Sequence, residues 1–197
     1  MNTSNYFVIF LAIAILNCTG CTNPPKEIYN KDFNWTITIP ENFDSVSAGQ
    51  WAAMQNKGMD VMERTYGEKI DNSVKKIFAF KSDEFNYFEA NYQPFDTLIE
   101  GDYAASCQLL NEMLYEIAVS QTPDTKIDTA SYTVMIDNLE FQTYEMKMTF
   151  LNKKVLNELT FSRLFNNQEF RVNIVYLDDK KGALMLDSWE KSKFGKK

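Results

Sequence analysis

Residues 131–150 read SYTVMIDNLEFQTYEMKMTF, and this stretch decides the fold class. Tyr132, Val134 and Ile136 recur at every second position, as do Tyr144, Met146, Met148 and Phe150, which is the period of strands with one buried face. Asp137-Asn138 lies between the two runs and supplies residues that tolerate a tight turn. Further on, Leu159 and Phe161, then Phe170, Val172, Ile174 and Tyr176, repeat the alternation, with Asn152-Lys153 and Asn166-Asn167 at the turns. Neighbouring runs joined by short turns pair most economically as an antiparallel meander.

Moving outward, Phe33, Trp35, Ile37 and Ile39 alternate with polar residues up to Pro40, another half-buried strand with Trp35 in the core. IFAF at 77–80 and the Phe88, Ala90, Tyr92 alternation predict a hairpin. Ser47 can cap a helix of one or two turns carrying Trp51 and Met54, with a turn near Gly67. Asp102 precedes Tyr103, Cys107, Leu110, Leu114 and Ile117, an amphipathic helix closed by Pro123 and expected to lie on the sheet. Asp178 or Asp179 can cap a last helix bearing Ala183, Leu186 and Trp189. Helices with one apolar face beside alternating strands give an α+β layer architecture: an antiparallel sheet of about six to seven strands flanked by helices.

The chain has 197 residues, a formal charge of −7 and no histidine. The missing histidine excludes Ser-His-Asp and Cys-His relays and His-ligated metal sites. The acidic balance argues against a nucleic-acid partner. No Gly-rich phosphate loop or D-x-D-x-D-G loop is present, so no cofactor or metal is expected.

The N-terminal end reads as an export address. Residues 6–16 (YFVIFLAIAIL) are uninterruptedly apolar, too short for the roughly 20 residues of a spanning helix and suited to a signal-peptide core. Cys18-Thr19-Gly20-Cys21 follows and resembles a bacterial lipobox, in which the last cysteine is acylated and becomes the new N-terminus. Cys18 stands where Leu is commoner, and residues 1–5 carry no Lys or Arg. The resemblance implies residues 1–20 as a lipoprotein signal peptide, Cys21 as the site of lipid (palmitate-type) attachment, and 21–31 (with Pro24-Pro25) as a tether. At 197 residues the chain fits one domain after such a leader, so 32–197 is expected to be a single domain. Thr22 is not the Asp that favours inner-membrane retention in enterobacteria, which makes the outer membrane the expected address. With Cys21 acylated, Cys107 is a lone thiol and is expected to pack in the core.

FNWTITIPENF at 33–43, FEANY at 88–92, Tyr103 opening the long helix and DSWEKSKF at 187–194 together resemble the PsbP-like fold. That fold is found in an extrinsic photosystem subunit, a Ran-binding protein, secretion-system adaptors and bacterial lipoproteins. The resemblance implies an α/β/α sandwich that works by binding or assisting assembly, and it carries over no catalytic residue.

Carboxylates are the only abundant acid-base groups. Asp178-Asp179, Asp83-Glu84 and Asp137 are candidates for a hydrolase pair or a calcium site, but caps and turns already account for their positions. Trp51, Trp189 and several tyrosines are candidate glycan platforms, though most fall on apolar phases. Asp44-Ser45-Val46, Asp96-Thr97-Leu98 and Asp128-Thr129-Ala130 resemble Bacteroidetes O-glycosylation acceptors, and Asn34-Trp35-Thr36 matches a sequon within the expected first strand. The expectation is a non-enzymatic, membrane-anchored envelope lipoprotein that binds a protein partner or aids assembly. The alternative is a carboxylate-dependent hydrolase or glycan-binding module acting on envelope polymers.

Overall fold

The computed structural model describes residues 25–67 and 73–195. The elements run β1 (Lys26–Asn30), β2 (Trp35–Ile39), β3 (Asp44–Ser45), α1 (Ala48–Tyr66), β4 (Lys75–Asp83), β5 (Asn86–Pro94) and α2 (Thr97–Glu100). There follow α3 (Tyr103–Gln121), β6 (Lys126–Ile136), β7 (Leu139–Thr149), β8 (Val155–Phe165), β9 (Gln168–Tyr176), α4 (Asp179–Glu190) and β10 (Lys193–Phe194). The fold is α+β, with a seven-stranded antiparallel sheet in the order β3-β4-β5-β9-β8-β7-β6 and a three-stranded sheet β1-β2-β10.

The expected meander forms as read. Asp137 and Asn138 both take positive φ, which makes the two-residue turn between β6 and β7 type I′ and aligns Ile136 with Leu139. The hairpin of β4 and β5 also forms, and β5 pairs with β9 to join the two halves of the sheet.

The main core lies between one face of the large sheet and a layer made by the small sheet and α4. Trp35, Phe88, Phe141, Phe170, Met185 and Trp189 are fully buried there. Trp35 stacks on Phe78 and Phe194 at 5.7 Å and meets Phe170 edge-on at 4.9 Å. Burying such a ring removes roughly 150–250 Å² from water, about 4–6 kcal/mol at about 25 cal/mol per Å². In α4, capped by Asp178, Gly182 is a site of close approach: a Cβ there would sit 2.5 Å from the ring of Tyr176.

Four expectations change. Residues 26–30 are not tether: β1 pairs with β2 from Lys26 opposite Ile39 to Asn30 opposite Trp35, so the folded part begins near Lys26. Its charged start conceals a strand that needs only Ile28 against the core, because the main-chain ladder does the rest. The helix at Ser47 has 19 residues, not one or two turns. It buries only Trp51, so no apolar stripe announces it, and a Ser47/Gln50 capping box and a left-handed Gly67 close its ends. Asn34 lies in the β1–β2 turn with φ of 50°, not in a core strand. Cys107 is half-buried on α3 and lines a cleft, not the core. The signal segment and Cys21 lie outside the described residues. No helix among the described residues is long and apolar enough to cross a membrane.

Candidate functional site: a polar cleft and groove beneath two helices

The second face of the large sheet is the unusual one. On β5, β9 and β8 the phase opposite the aromatic core carries Glu89 and Asn91, then Glu169, Arg171 and Asn173, then Glu158, Thr160 and Ser162. Register sets them side by side: Glu89 opposite Asn173, Asn91 opposite Arg171, and Arg171 opposite Ser162. α1 and α3 roof this surface and enclose a cleft of about 310 Å³.

Glu89 is the hub. Its Oε2 accepts from Trp51 Nε1 at 2.8 Å and from the Tyr87 hydroxyl at 2.5 Å. Its Oε1 accepts from Asn91 Nδ2 at 3.0 Å and Asn173 Nδ2 at 2.8 Å. Four donors fill the acceptor capacity of a carboxylate. Glu169 is similarly engaged, accepting from Arg171 at 2.7 Å, Gln93 at 2.7 Å and the Tyr103 hydroxyl at 3.4 Å. Burial opposes the charge of Arg171, and the attraction of Glu169 outweighs it, holding the guanidinium above its usual pKa. Glu158 differs: no hydrogen bond reaches its side chain among the described residues. Burial, and secondarily the charge of Glu89, push its pKa up.

Burial also raises the pKa values of Tyr87, Tyr103 and Cys107, which keeps the Cys107 thiol protonated. Its sulfur sits 3.7 Å from Ser162 Oγ. A neutral thiol is a poor nucleophile.

The cleft opens outward into a groove of about 720 Å³ between α3 and β6. Gln108, Glu112 and Tyr115 of α3 face Thr129, Ser131 and Thr133 of β6 across it. Asn111 Nδ2 donates to Ser131 Oγ at 3.3 Å. α3 packs lightly: Leu114 and Ala118 touch Tyr144, Met146 and Met148, yet none of its 19 residues is buried, and Leu109, Tyr115 and Val119 are exposed. Beside it, Leu98 and Ile99 of α2 are 94% and 84% exposed.

Of the carboxylates singled out from sequence, the Asp83 turn and the Asp178 cap are neighbours, joined through Asn86 and Lys181, while Asp137 lies in a different turn. Asp178 caps α4, with its Oδ1 accepting from the Lys180 and Lys181 backbone N–H groups, and Asp179 sits in the first turn of that helix. Asp83 closes the β4–β5 turn and pairs with Lys181 at 2.6 Å, with Glu84 exposed in the same turn. Asp137 binds Lys193 and the Phe194 N–H in the β6–β7 turn. Among the described residues no cluster of His, Cys, Asp or Glu is placed to hold a metal. Trp189 is core, and Trp51 is buried against the sheet by its bond to Glu89. Of the three Asp-Ser/Thr tripeptides, Asp44 and Ser45 form β3, Asp96 caps α2 and Asp128 is the third residue of β6.

No family model matches the chain, and no curated protein matches it. Among solved structures, the chain is similar to the solution structure of cyanobacterial PsbP (CyanoP) from Synechocystis sp. PCC 6803, with a TM-score of 0.55 at 6% identity. The match covers 87% of this chain and 92% of that one. The chain therefore has a PsbP-like fold; at this identity the likeness is one of fold alone.

Proposed function

We propose that this chain is a non-enzymatic envelope lipoprotein, held to the outer membrane by lipid on Cys21, whose PsbP-like domain binds a partner protein and assists assembly near the membrane. The observation that supports it is α3: a helix that buries none of its 19 residues and displays Leu109, Tyr115 and Val119 beside an open groove. Exposed apolar side chains on a helix are what interfaces use, and Tyr115 among them lines the groove. The carboxylates beneath it are already committed, Glu89 being filled by four donors and Glu169 accepting from three.

A photo-crosslinkable residue at Leu109 of the full chain in native membranes tests the binding role. The same partner recovered repeatedly supports it, and recovery of the chain alone contradicts it. Cys21→Ser is expected to abolish lipid labelling and release the chain from membranes; unchanged partition contradicts the anchor.

The alternative, a carboxylate-dependent hydrolase or glycan-binding module, has one observation in its favour. Glu158, its pKa raised, lies in a concave cleft together with two other carboxylates. Turnover of an envelope glycan that Glu158→Gln removes would favour this reading over the first.

A further inference from the structure

β6 is an edge strand of 11 residues, paired along its whole length to β7 on one side and to nothing on the other among the described residues. The type I′ turn fixes which backbone groups face outward. Ile136 and Leu139 close the turn as a hydrogen-bonded pair, so alternate residues back along β6 (Val134, Tyr132, Ala130) bond to β7. Thr129, Ser131, Thr133 and Met135 therefore turn both N–H and C=O outward. Their side chains lie on the α3 side of the sheet, and three of them line the groove.

Proteins normally guard such an edge with lysines, proline, bulges or short length. The opposite side of this sheet is guarded in that way: β3 has two residues, and the β4 strand behind it carries Lys75, Lys76 and Lys81. On β6 the ladder is free of bulges, residues 129–136 (TASYTVMI) contain no charge and no proline, and the strand is mostly exposed. A long unguarded edge beside a helix is the arrangement by which an extended peptide is added as a further strand, with its main chain bonded to the edge and its side chains against the helix.

Charge selects the occupant. α3 contains no Lys or Arg, and it presents Glu112 and Glu116 to the groove. Glu112 accepts only from Gln108 and Glu116 only from Tyr66, and neither is in an ion pair among the described residues. A second copy of this chain, added edge to edge, would bring another Glu112 and Glu116 to the same groove, a like-charge contact. We infer that the β6 edge and α3 together form a groove that takes an extended, cationic segment of a partner protein by β-strand addition. This rests on the protein-binding reading above and deepens it.

The test uses the full chain in detergent and a ten-residue peptide of alternating Lys and Val or Thr. The controls are its Glu-for-Lys counterpart and a copy N-methylated at every backbone nitrogen, which keeps the charge but removes the donors on both edges. Binding is read by anisotropy. The Lys peptide is expected to bind, the Glu peptide about tenfold or more weaker, and the N-methylated peptide not at all. Ser131→Pro removes an outward N–H that β7 does not use and is expected to abolish binding. Should that variant fail to fold, Glu112→Lys/Glu116→Lys alters only exposed groups and is expected to reverse the preference between the Lys and Glu peptides.

Equal binding of the N-methylated peptide overturns strand addition. Equal binding of the Lys and Glu peptides overturns the charge argument. A dimer that Ser131→Pro dissolves overturns the choice of occupant. If no peptide binds while Leu109 still captures a partner in membranes, this groove is wrong and the broader reading stands; failure of both removes both.

Discussion

Trp51 Nε1 donates to Glu89 Oε2 across 2.8 Å, and Trp51 is the one buried residue of α1. This bond ties the N-terminal part of a 19-residue helix to the sheet. Trp51→Phe keeps the ring packing and removes the bond, so it is expected to cost about 1.5–3 kcal/mol. Denaturant unfolding measures this, and hydrogen exchange should show α1 opening before the sheet.

Glu158 and Asp83 should give opposite pH signatures. Burial raises the folded pKa of Glu158, so the folded state holds a proton the unfolded state has lost, and stability falls as pH rises above the ordinary carboxylate range. Glu158→Gln is therefore expected to raise the melting temperature at pH 7, with the gap closing below about pH 4. Asp83 is held down to about 2 by its bond to Lys181, with Asn86 and the Phe85 N–H assisting. Its contribution is present above the usual carboxylate pKa and is lost as pH falls toward about 2. Both partners are substantially exposed, so Asp83→Asn is expected to shift stability only slightly at pH 7 and still less at pH 2.

Partly exposed Arg171 pairs with buried Glu169 on the polar face. Arg171→Leu leaves Glu169 without its cation and is expected to cost about 3–5 kcal/mol. Adding Glu169→Leu should recover most of that loss, because an apolar pair of similar size carries no unpaired charge. A double-mutant cycle by chemical denaturation reads the coupling.

Gly182→Ala is expected to destabilise the fold by about 1–3 kcal/mol through overpacking against Tyr176. An unconstrained helix position would instead gain about 1 kcal/mol. Gly58, in α1 with open space around it, is the control and should gain.

The aromatic face was legible because strands of period two announce themselves: Trp35, Phe88, Phe170, Val172 and Ile174 all fall where the alternation puts them. The polar face was not. Glu89 and Asn91 occupy the phase that ordinarily faces water, and Glu89 is covered by Trp51 of α1, a helix whose own sequence lacks an apolar stripe. One signal was available. The polar phases of three strands carry Glu, Asn, Arg and Ser, and the Tyr103 helix was expected to lie on the sheet; a helix laid on that side covers charged groups that must then pair with one another. β1 escaped for a related reason, since an edge strand held by main-chain bonds needs little hydrophobic pattern.

The central claim concerns the outward backbone of β6, and residue-resolved amide exchange reads it directly, in the free chain and in the complex with its crosslinked partner. Thr129, Ser131 and Thr133 should exchange fast when free and become protected in the complex, while Tyr132 and Val134, bonded to β7, stay protected in both. Outward amides that exchange equally fast in both states would contradict the account.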